Sequence, residues 1–151
     1  MSMLVVIVED DYYDWEWLRD ELGHAYPQIR CVWISTERMF RDRMSELESE
    51  PPIGFIFDVM LPWDVPRAGQ GESELPDDVK TEGFYSAGLR CRDLVRNSSG
   101  LAAVPTVLYT GLDRNNFPEQ VLHVKSDDSQ VILEQVGAWV KAYEKRLDGT
   151  K

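Results

Sequence analysis

An uninterrupted run of apolar side chains near the amino terminus, Met3–Val8, constrains the fold of this chain more than any other feature. A strand with one solvent-exposed face alternates apolar and polar residues, whereas a continuous apolar run predicts a strand that is buried on both faces. A second apolar stretch, from Ile53 to Phe57, ends directly in a carboxylate, Asp58. Burying an isolated carboxylate is costly unless something compensates its charge, so Asp58 calls for a functional explanation.

The segments between the apolar runs carry apolar residues at helical spacing. In Asp11–Tyr26, for example, Trp15, Leu18 and Leu22 follow one another at steps of three and four, which predicts an amphipathic helix. The same spacing predicts further helices from Ser35 or Thr36 to about Ser49, over Thr81–Asn97 and over about 127–147. Strands are predicted over Met3–Val8, Cys31–Ser35, Gly54–Asp58, Val104–Tyr109 and Gln120–Val124.

Strands that alternate with helices imply βαβ units, a parallel sheet and right-handed crossovers. Five strands in this arrangement predict an α/β fold with a doubly wound sheet, the flavodoxin-like order 2-1-3-4-5 and three layers, α/β/α. A length of 151 residues predicts one domain over residues 1–151.

The net charge and the composition make some binding partners and some cellular locations unfavourable. The net charge of −11 disfavours direct binding to nucleic acid and to an anionic membrane surface. The amino-terminal apolar run is too short for a membrane span or a signal peptide, so we expect a cytoplasmic protein. Cys31 and Cys91 form no C-x-x-C pair, and we interpret both as reduced, buried thiols rather than zinc ligands.

Polar side chains follow the strands where each one ends, and in the predicted order these ends converge on one rim of the sheet. The residues at the rim are Glu9, Asp10, Asp11, Asp58, Thr110 and Lys125. Asp11 has an alternative role in the first turn of a helix, where acidic residues are favoured. Carboxylates that share a small space at neutral pH need raised pKa values or a bound cation. Oxygen-rich carboxylate sites suit Mg²⁺, which also binds phosphate groups.

Thr110 and Lys125 are groups that can hold an anion beside such a metal. A metal, a lysine and a hydroxyl around a single aspartate describe an acyl-phosphate site. In that chemistry Asp58 is the nucleophile, and Mg²⁺ and Lys125 neutralise the phosphoryl charge during transfer.

Four motifs together resemble the response-regulator receiver domain of two-component signalling: VIVEDD at 6–11, FDVMLP at 57–62, VLYTG at 107–111 and VK at 124–125. The resemblance implies that Asp58 accepts phosphate from a histidine kinase or a phosphotransfer protein. It further implies that Glu9, Asp10, Asp58 and the backbone carbonyl of Met60 hold Mg²⁺. Thr110 and Lys125 would then contact the phosphoryl group, and Met60 and Leu112 would flank the path of an attacking water.

By the same resemblance, the chain is a phosphoacceptor regulator rather than an enzyme. It would lose its phosphate only by slow self-dephosphorylation and would signal through contacts with an output protein.

Two departures from the family pattern stand out. If Gly83 is the glycine that usually opens the third helix, residues 63–82 form an inserted acidic loop, which we expect to be mobile or to pack over the region of a shortened fourth helix. Only 14 residues separate Thr110 from Lys125, which leaves little room for a full fourth helix.

Two other functions are compatible with the same residues. One is a receiver-like interaction module that works without phosphorylation. The other is an aspartyl-nucleophile phosphatase of the haloacid dehalogenase type, which usually carries a second Asp two residues after the nucleophile. Met60 occupies that position here.

Overall fold

The structure, a computed structural model, describes residues 3–65, 75–111, 123–124 and 130–149. Its strands are β1 (Met3–Val8), β2 (Ile29–Ile34), β3 (Gly54–Phe57), β4 (Thr106–Thr110) and β5 (His123–Val124). Its helices are α1 (Tyr12–Ala25), α2 (Glu37–Asp42), α3 (Met44–Ser49), α4 (Asp77–Glu82), α5 (Ala87–Asn97) and α6 (Gln130–Gly149), and a 3₁₀ turn covers Phe84–Ser86. Within these ranges, none of the helices is long and apolar enough to cross a lipid bilayer.

All strand pairs are parallel, and the spatial order is β2-β1-β3-β4-β5, with β5 contributing a pair of residues beside β4. Val8 at the end of β1 pairs with Ile34 of β2 on one side and with Phe57 of β3 on the other. The prediction of an α/β fold with a parallel sheet is therefore confirmed. This register brings the ends of β1 and β3 side by side.

Side chains along the central strands alternate between two hydrophobic clusters, one on each face of the sheet. Val6 and Val8 belong to the cluster that contains residues of α2, α3 and α5, whereas Val5 and Ile7 belong to the cluster of α1 and α6. Because both faces of the sheet are covered by helices, β1 is apolar at every position, as the run at Met3–Val8 indicates.

The prediction of one helix from Ser35 or Thr36 to Ser49 is wrong, because this segment forms two helices, α2 and α3, divided at Arg43. The Thr36 hydroxyl accepts a hydrogen bond from the Met39 N–H at 3.1 Å and caps α2, as predicted. The Arg43 N–H is shared between the carbonyls of Met39 and Phe40 at 3.2 Å each, a pattern typical of a helix end.

The prediction of one helix over Thr81–Asn97 is also wrong. Gly83 has φ 78°, a left-handed conformation that stops α4, and the chain then makes the 3₁₀ turn before α5 begins. The prediction of an inserted loop over 63–82 is also wrong for its last six residues. They form α4, and Val79 is buried there. Residues 66–74 lie outside the described ranges.

Both cysteines are free thiols, as predicted. Cys91 is buried and Cys31 is half-buried, and desolvation raises the pKa of the Cys31 thiol to about 11. Burial also raises the pKa of Cys91. Both groups are therefore protonated at neutral pH and fill space as small hydrophobic side chains.

Candidate functional site

Adjacent strand ends place two carboxylates next to each other at the carboxyl edge of the sheet. The Asp58 N–H donates to the Val8 carbonyl at 2.8 Å, and the Glu9 N–H donates to the Ile34 carbonyl at 3.0 Å. The first bond extends the pairing of β1 with β3 by one residue, and the second extends the pairing of β1 with β2. Glu9 and Asp58 consequently lie at the same level of the sheet.

Asp10 completes a cluster of three acids with Glu9 and Asp58. One carboxylate oxygen from each residue lies within 4.8 Å of the corresponding oxygens of the other two. Glu9 and Asp58 are buried, whereas Asp10 is exposed. Three carboxylates at this spacing repel one another when ionised, and a cation between them would remove the repulsion. The donors are all hard oxygens, so the cluster fits Mg²⁺ well.

The acidic cluster lines a pocket with a volume of about 360 Å³. The residues that line it are Glu9, Asp10, Asp11, Asp14, Asp58, Met60, Thr110 and Gly111. Five residues predicted for the site, namely Glu9, Asp10, Asp58, Met60 and Thr110, are thus brought together. Lys125 and Leu112 lie outside the described residues.

Thr110 is the last residue of β4 and is 1% exposed. The pairing of Phe57 with Leu108 sets the register between β3 and β4, and Thr110 follows two residues later on the same face as Leu108. The pocket therefore has a hydroxyl group in its wall, opposite the acids that end β1.

Asp11 lies in the pocket wall, and its side chain caps the amino terminus of α1. Its carboxylate accepts a hydrogen bond from the Asp14 N–H at 3.0 Å and caps α1, and its own N–H donates to Glu9 Oε1 at 3.1 Å. The start of α1 therefore helps to orient the Glu9 carboxylate. This agrees with the interpretation of Asp11 as a helix-start residue.

An aromatic pair supports the other side of the Glu9 backbone. Trp33 Nε1 donates to the Glu9 carbonyl at 2.6 Å, and the Trp33 ring stacks on Trp15 with centroids 5.5 Å apart and planes 6° apart. The Trp33 indole is therefore one hydrogen bond away from the backbone of an acid in the cluster.

The loop after Asp58 runs between the starts of α2 and α5. The Gly88 N–H donates to the Val59 carbonyl at 2.8 Å, and the Leu61 N–H donates to the Phe84 carbonyl at 3.2 Å. On the other side, the Glu37 N–H donates to the Pro62 carbonyl at 3.1 Å. The backbone that carries the Met60 carbonyl is therefore anchored on both sides.

Sequence reasoning missed a buried ionic network beside this loop. Glu37 is completely buried and accepts hydrogen bonds from Arg90 at 2.7 and 3.0 Å and from Arg41 at 2.7 and 3.2 Å. The sequence carries no signal for the longer connection, because Glu37 and Arg90 are 53 positions apart. The Arg41–Glu37 pair has helical spacing, which reads equally well as an ordinary surface pair.

The same arginines hold α4. Arg41 Nη2 donates to Asp78 at 2.8 Å, and this hydrogen bond lowers the pKa of the Asp78 carboxyl below its ordinary value. Arg90 Nη1 donates to the Gly83 carbonyl at 2.7 Å, at the turn that ends α4. The far end of the predicted insert is therefore attached to α2 and α5.

The structure was compared with known proteins. No protein-family model and no curated protein matches the sequence. Among solved structures, the chain is similar to the signal receiver domain of a DNA-binding response regulator protein (merR) from Colwellia psychrerythraea 34H, with a TM-score of 0.63 and 15% identity over 93% of this chain and 99% of that chain. It is also similar to the response regulator receiver domain (CheY-like) from Methylobacillus flagellatus, with a TM-score of 0.58 and 13% identity over 92% and 99%.

A third similar structure is the chemotaxis response regulator CheY4 of Vibrio cholerae, with a TM-score of 0.56, 13% identity and coverage of 92% and 99% of the two chains. At such low identities the likeness establishes a common fold. The chain has the fold of receiver domains, and each of these matches extends over nearly its whole length.

Proposed function

We propose that this chain is a phosphoacceptor of phosphorelay signalling that receives a phosphoryl group on Asp58. The observation that carries the proposal is the grouping of carboxylate oxygens from Glu9, Asp10 and Asp58 within 4.8 Å, in a pocket that also includes Thr110. The receiver fold supports the proposal, because the same strand ends form the pocket that the resemblance implies.

Glu9, Asp10, Asp58 and the Met60 backbone carbonyl would hold Mg²⁺ in this pocket. When bound, the metal supplies positive charge that offsets the negative charge of the transferring phosphoryl group. Burial of Glu9 and Asp58 keeps their carboxylates fixed, while the exposed Asp10 leaves one side of the cluster open to solvent and to a donor.

The transfer step uses Asp58 as the nucleophile. A carboxylate oxygen of Asp58 attacks the phosphorus of a phosphohistidine donor, the P–N bond breaks, and the imidazole of the donor leaves. Thr110 donates its hydroxyl hydrogen to a phosphoryl oxygen, and Lys125 pairs with another. A histidine kinase or a phosphotransfer protein supplies the phosphoryl group.

The phosphorylated domain then signals in the cytoplasm through contact with an output protein. Met60 is 40% exposed at the pocket, and its thioether is only a weak hydrogen-bond acceptor for an attacking water. Hydrolysis of the phosphorylated Asp58 is therefore slow, which suits a phosphoacceptor regulator rather than an enzyme. Met60 also stands where a haloacid dehalogenase-type phosphatase usually has its second aspartate, which argues against that activity.

The test is the intact mass of the protein after incubation with acetyl phosphate and Mg²⁺. We expect one added phosphoryl group on the wild type and none on Asp58→Asn. The matched control is Asp148→Asn, which removes an exposed carboxylate near the end of α6 and should leave the added mass unchanged. Absence of the added mass from the wild type would contradict the proposal and favour an interaction module that works without phosphorylation.

A further inference from the structure

We propose that Gly88 is a positioning residue for the phosphoacceptor, because the absence of a side chain there lets the first turn of α5 lie directly against the backbone of Asp58 and Val59. This inference rests on the proposed function. It adds that position 88, which lies outside the pocket, must be glycine for Asp58 to be placed correctly. Gly88 is not among the residues that line the acidic pocket.

The contact between α5 and the loop is too close for any other residue. A Cβ atom added to Gly88 would lie 2.8 Å from the carbonyl carbon of Asp58 and 2.8 Å from the Cα of Val59, and closer still to the Asp58 carbonyl oxygen. All three neighbouring atoms belong to the backbone and cannot rotate away as a side chain can. A side chain at position 88 must therefore displace the helix, the loop or both.

The loop has little freedom to move away from the helix. The Asp58 N–H is bonded to Val8 of β1 at 2.8 Å, and the Val59 carbonyl accepts from Gly88 itself at 2.8 Å. Residues 58 and 59 are thus held between β1 and α5. A shift imposed at Gly88 is passed on to the Asp58 carboxylate and to the Met60 carbonyl, the next group along the loop.

The helix is held just as firmly. Arg90, two residues after Gly88, is 6% exposed and binds both carboxylate oxygens of Glu37, together with the Gly83 carbonyl. The backbone N–H of Glu37 in turn donates to Pro62, at the far end of the same loop. The loop is therefore held between α2 and α5, and Gly88 is the residue of α5 that lies against the backbone of the phosphoacceptor.

Two other glycines in helices provide matched controls. A Cβ at Gly23 of α1 would have no neighbouring atom within 4 Å, so Gly23→Ala tests the general effect of alanine in a helix. A Cβ at Gly137 of α6 would collide with the Tyr26 hydroxyl, so Gly137→Ala disturbs packing on the opposite face of the sheet from α5.

The experiment measures the Mg²⁺ dissociation constant by tryptophan fluorescence titration, the phosphoryl mass gained from acetyl phosphate, and the melting temperature without metal. For Gly88→Ala we expect Mg²⁺ binding to weaken by about 10- to 100-fold and the phosphoryl gain to fall, as when a supporting group behind a metal ligand is removed. We expect Gly23→Ala to keep both properties. Gly137→Ala should melt at a lower temperature yet bind Mg²⁺ as the wild type does.

The proposal is overturned if folded Gly88→Ala binds Mg²⁺ with the wild-type dissociation constant, or if Gly137→Ala loses as much Mg²⁺ affinity as Gly88→Ala does. If Gly88→Ala does not fold, Arg90→Lys provides the test. It keeps the positive charge but loses the bidentate contact with Glu37 that holds α5. Arg90→Lys should weaken Mg²⁺ binding, and an unchanged affinity would overturn the proposal. Lack of phosphoryl gain in the wild type would instead contradict the proposed function, while the Mg²⁺ titrations would still test Gly88.

Discussion

The Arg90 guanidinium binds the Glu37 carboxylate through Nη2 at 2.7 Å and Nε at 3.0 Å, in a position where Glu37 is 0% and Arg90 6% exposed. Without Arg90, the buried Glu37 carboxylate keeps its hydrogen bonds to Arg41 but loses one of its two positively charged partners. We therefore expect Arg90→Met to lower the free energy of unfolding by about 3 kcal/mol, the lower end of the range for breaking a buried pair, measured by urea denaturation.

The control for this prediction is the ion pair between Arg43 and Glu46 on the surface, at 3.4 Å. Glu46 is largely exposed, so Glu46→Gln should change the free energy of unfolding by less than about 1 kcal/mol. Equal losses in the two variants would show that the buried pair contributes no more than a surface pair.

A second prediction concerns the acidic cluster. If Glu9, Asp10 and Asp58 share one cation, millimolar Mg²⁺ should raise the melting temperature, because the metal binds the folded state alone. Asp10→Asn removes one ligand charge without disturbing the buried acids, and should reduce the rise. An unchanged melting temperature of the wild type with and without Mg²⁺ would argue against a metal site.

Much of this site could be predicted from the sequence because its residues follow the strands directly. Apolar runs fix where β1, β3 and β4 lie, and a parallel sheet then brings Glu9, Asp58 and Thr110 to one edge. The contacts behind the loop could not be predicted in this way. Arg90 and Gly88 meet Glu37 and Asp58 only through tertiary packing, and no periodic pattern connects them.

The division of the predicted helix over Thr81–Asn97 has the same origin. Apolar spacing continues through Gly83, yet its positive φ stops α4, and α5 begins only at Ala87, after the 3₁₀ turn. α4 itself is short, and Val79 together with the ion pair between Asp78 and Arg41 attaches it to the rest of the chain. A six-residue helix held by tertiary contacts leaves only a weak signal in the sequence.

A third prediction concerns the pH dependence of α4 docking. Arg41 lowers the pKa of Asp78 below its ordinary value of 3.8, so the folded protein holds this carboxylate ionised more readily than the unfolded chain does. Its stabilising effect is fully present above pH 3.8 and is lost as the pH falls through the lowered value. The unfolding curves of wild type and Asp78→Asn should differ at neutral pH and converge in acid. Asp77→Asn, on the same helical turn, should follow the wild type throughout.

A fourth prediction concerns the lifetime of the phosphorylated state. Neither Met60 nor Leu112 can form a strong hydrogen bond to a water near the phosphorus, so hydrolysis should be slow. Replacing Met60 by Asn and Leu112 by Glu supplies polar groups and should speed the loss of phosphate, by up to about 10²-fold for a well-placed group. The measurement is the decay of phosphorylated protein after removal of the donor. Decay of the wild type within seconds, or a double mutant that is no faster, would contradict this explanation.

The most direct test of the central claim is to locate the phosphoryl group on the chain. Borohydride reduces an aspartyl phosphate to homoserine, so the phosphorylated residue can be identified by peptide mass mapping after treatment with acetyl phosphate and Mg²⁺. Our account predicts conversion at Asp58 alone, dependent on both Mg²⁺ and the donor, and reduced in Asp10→Asn. Conversion at another acidic residue, or none in the wild type, would contradict it.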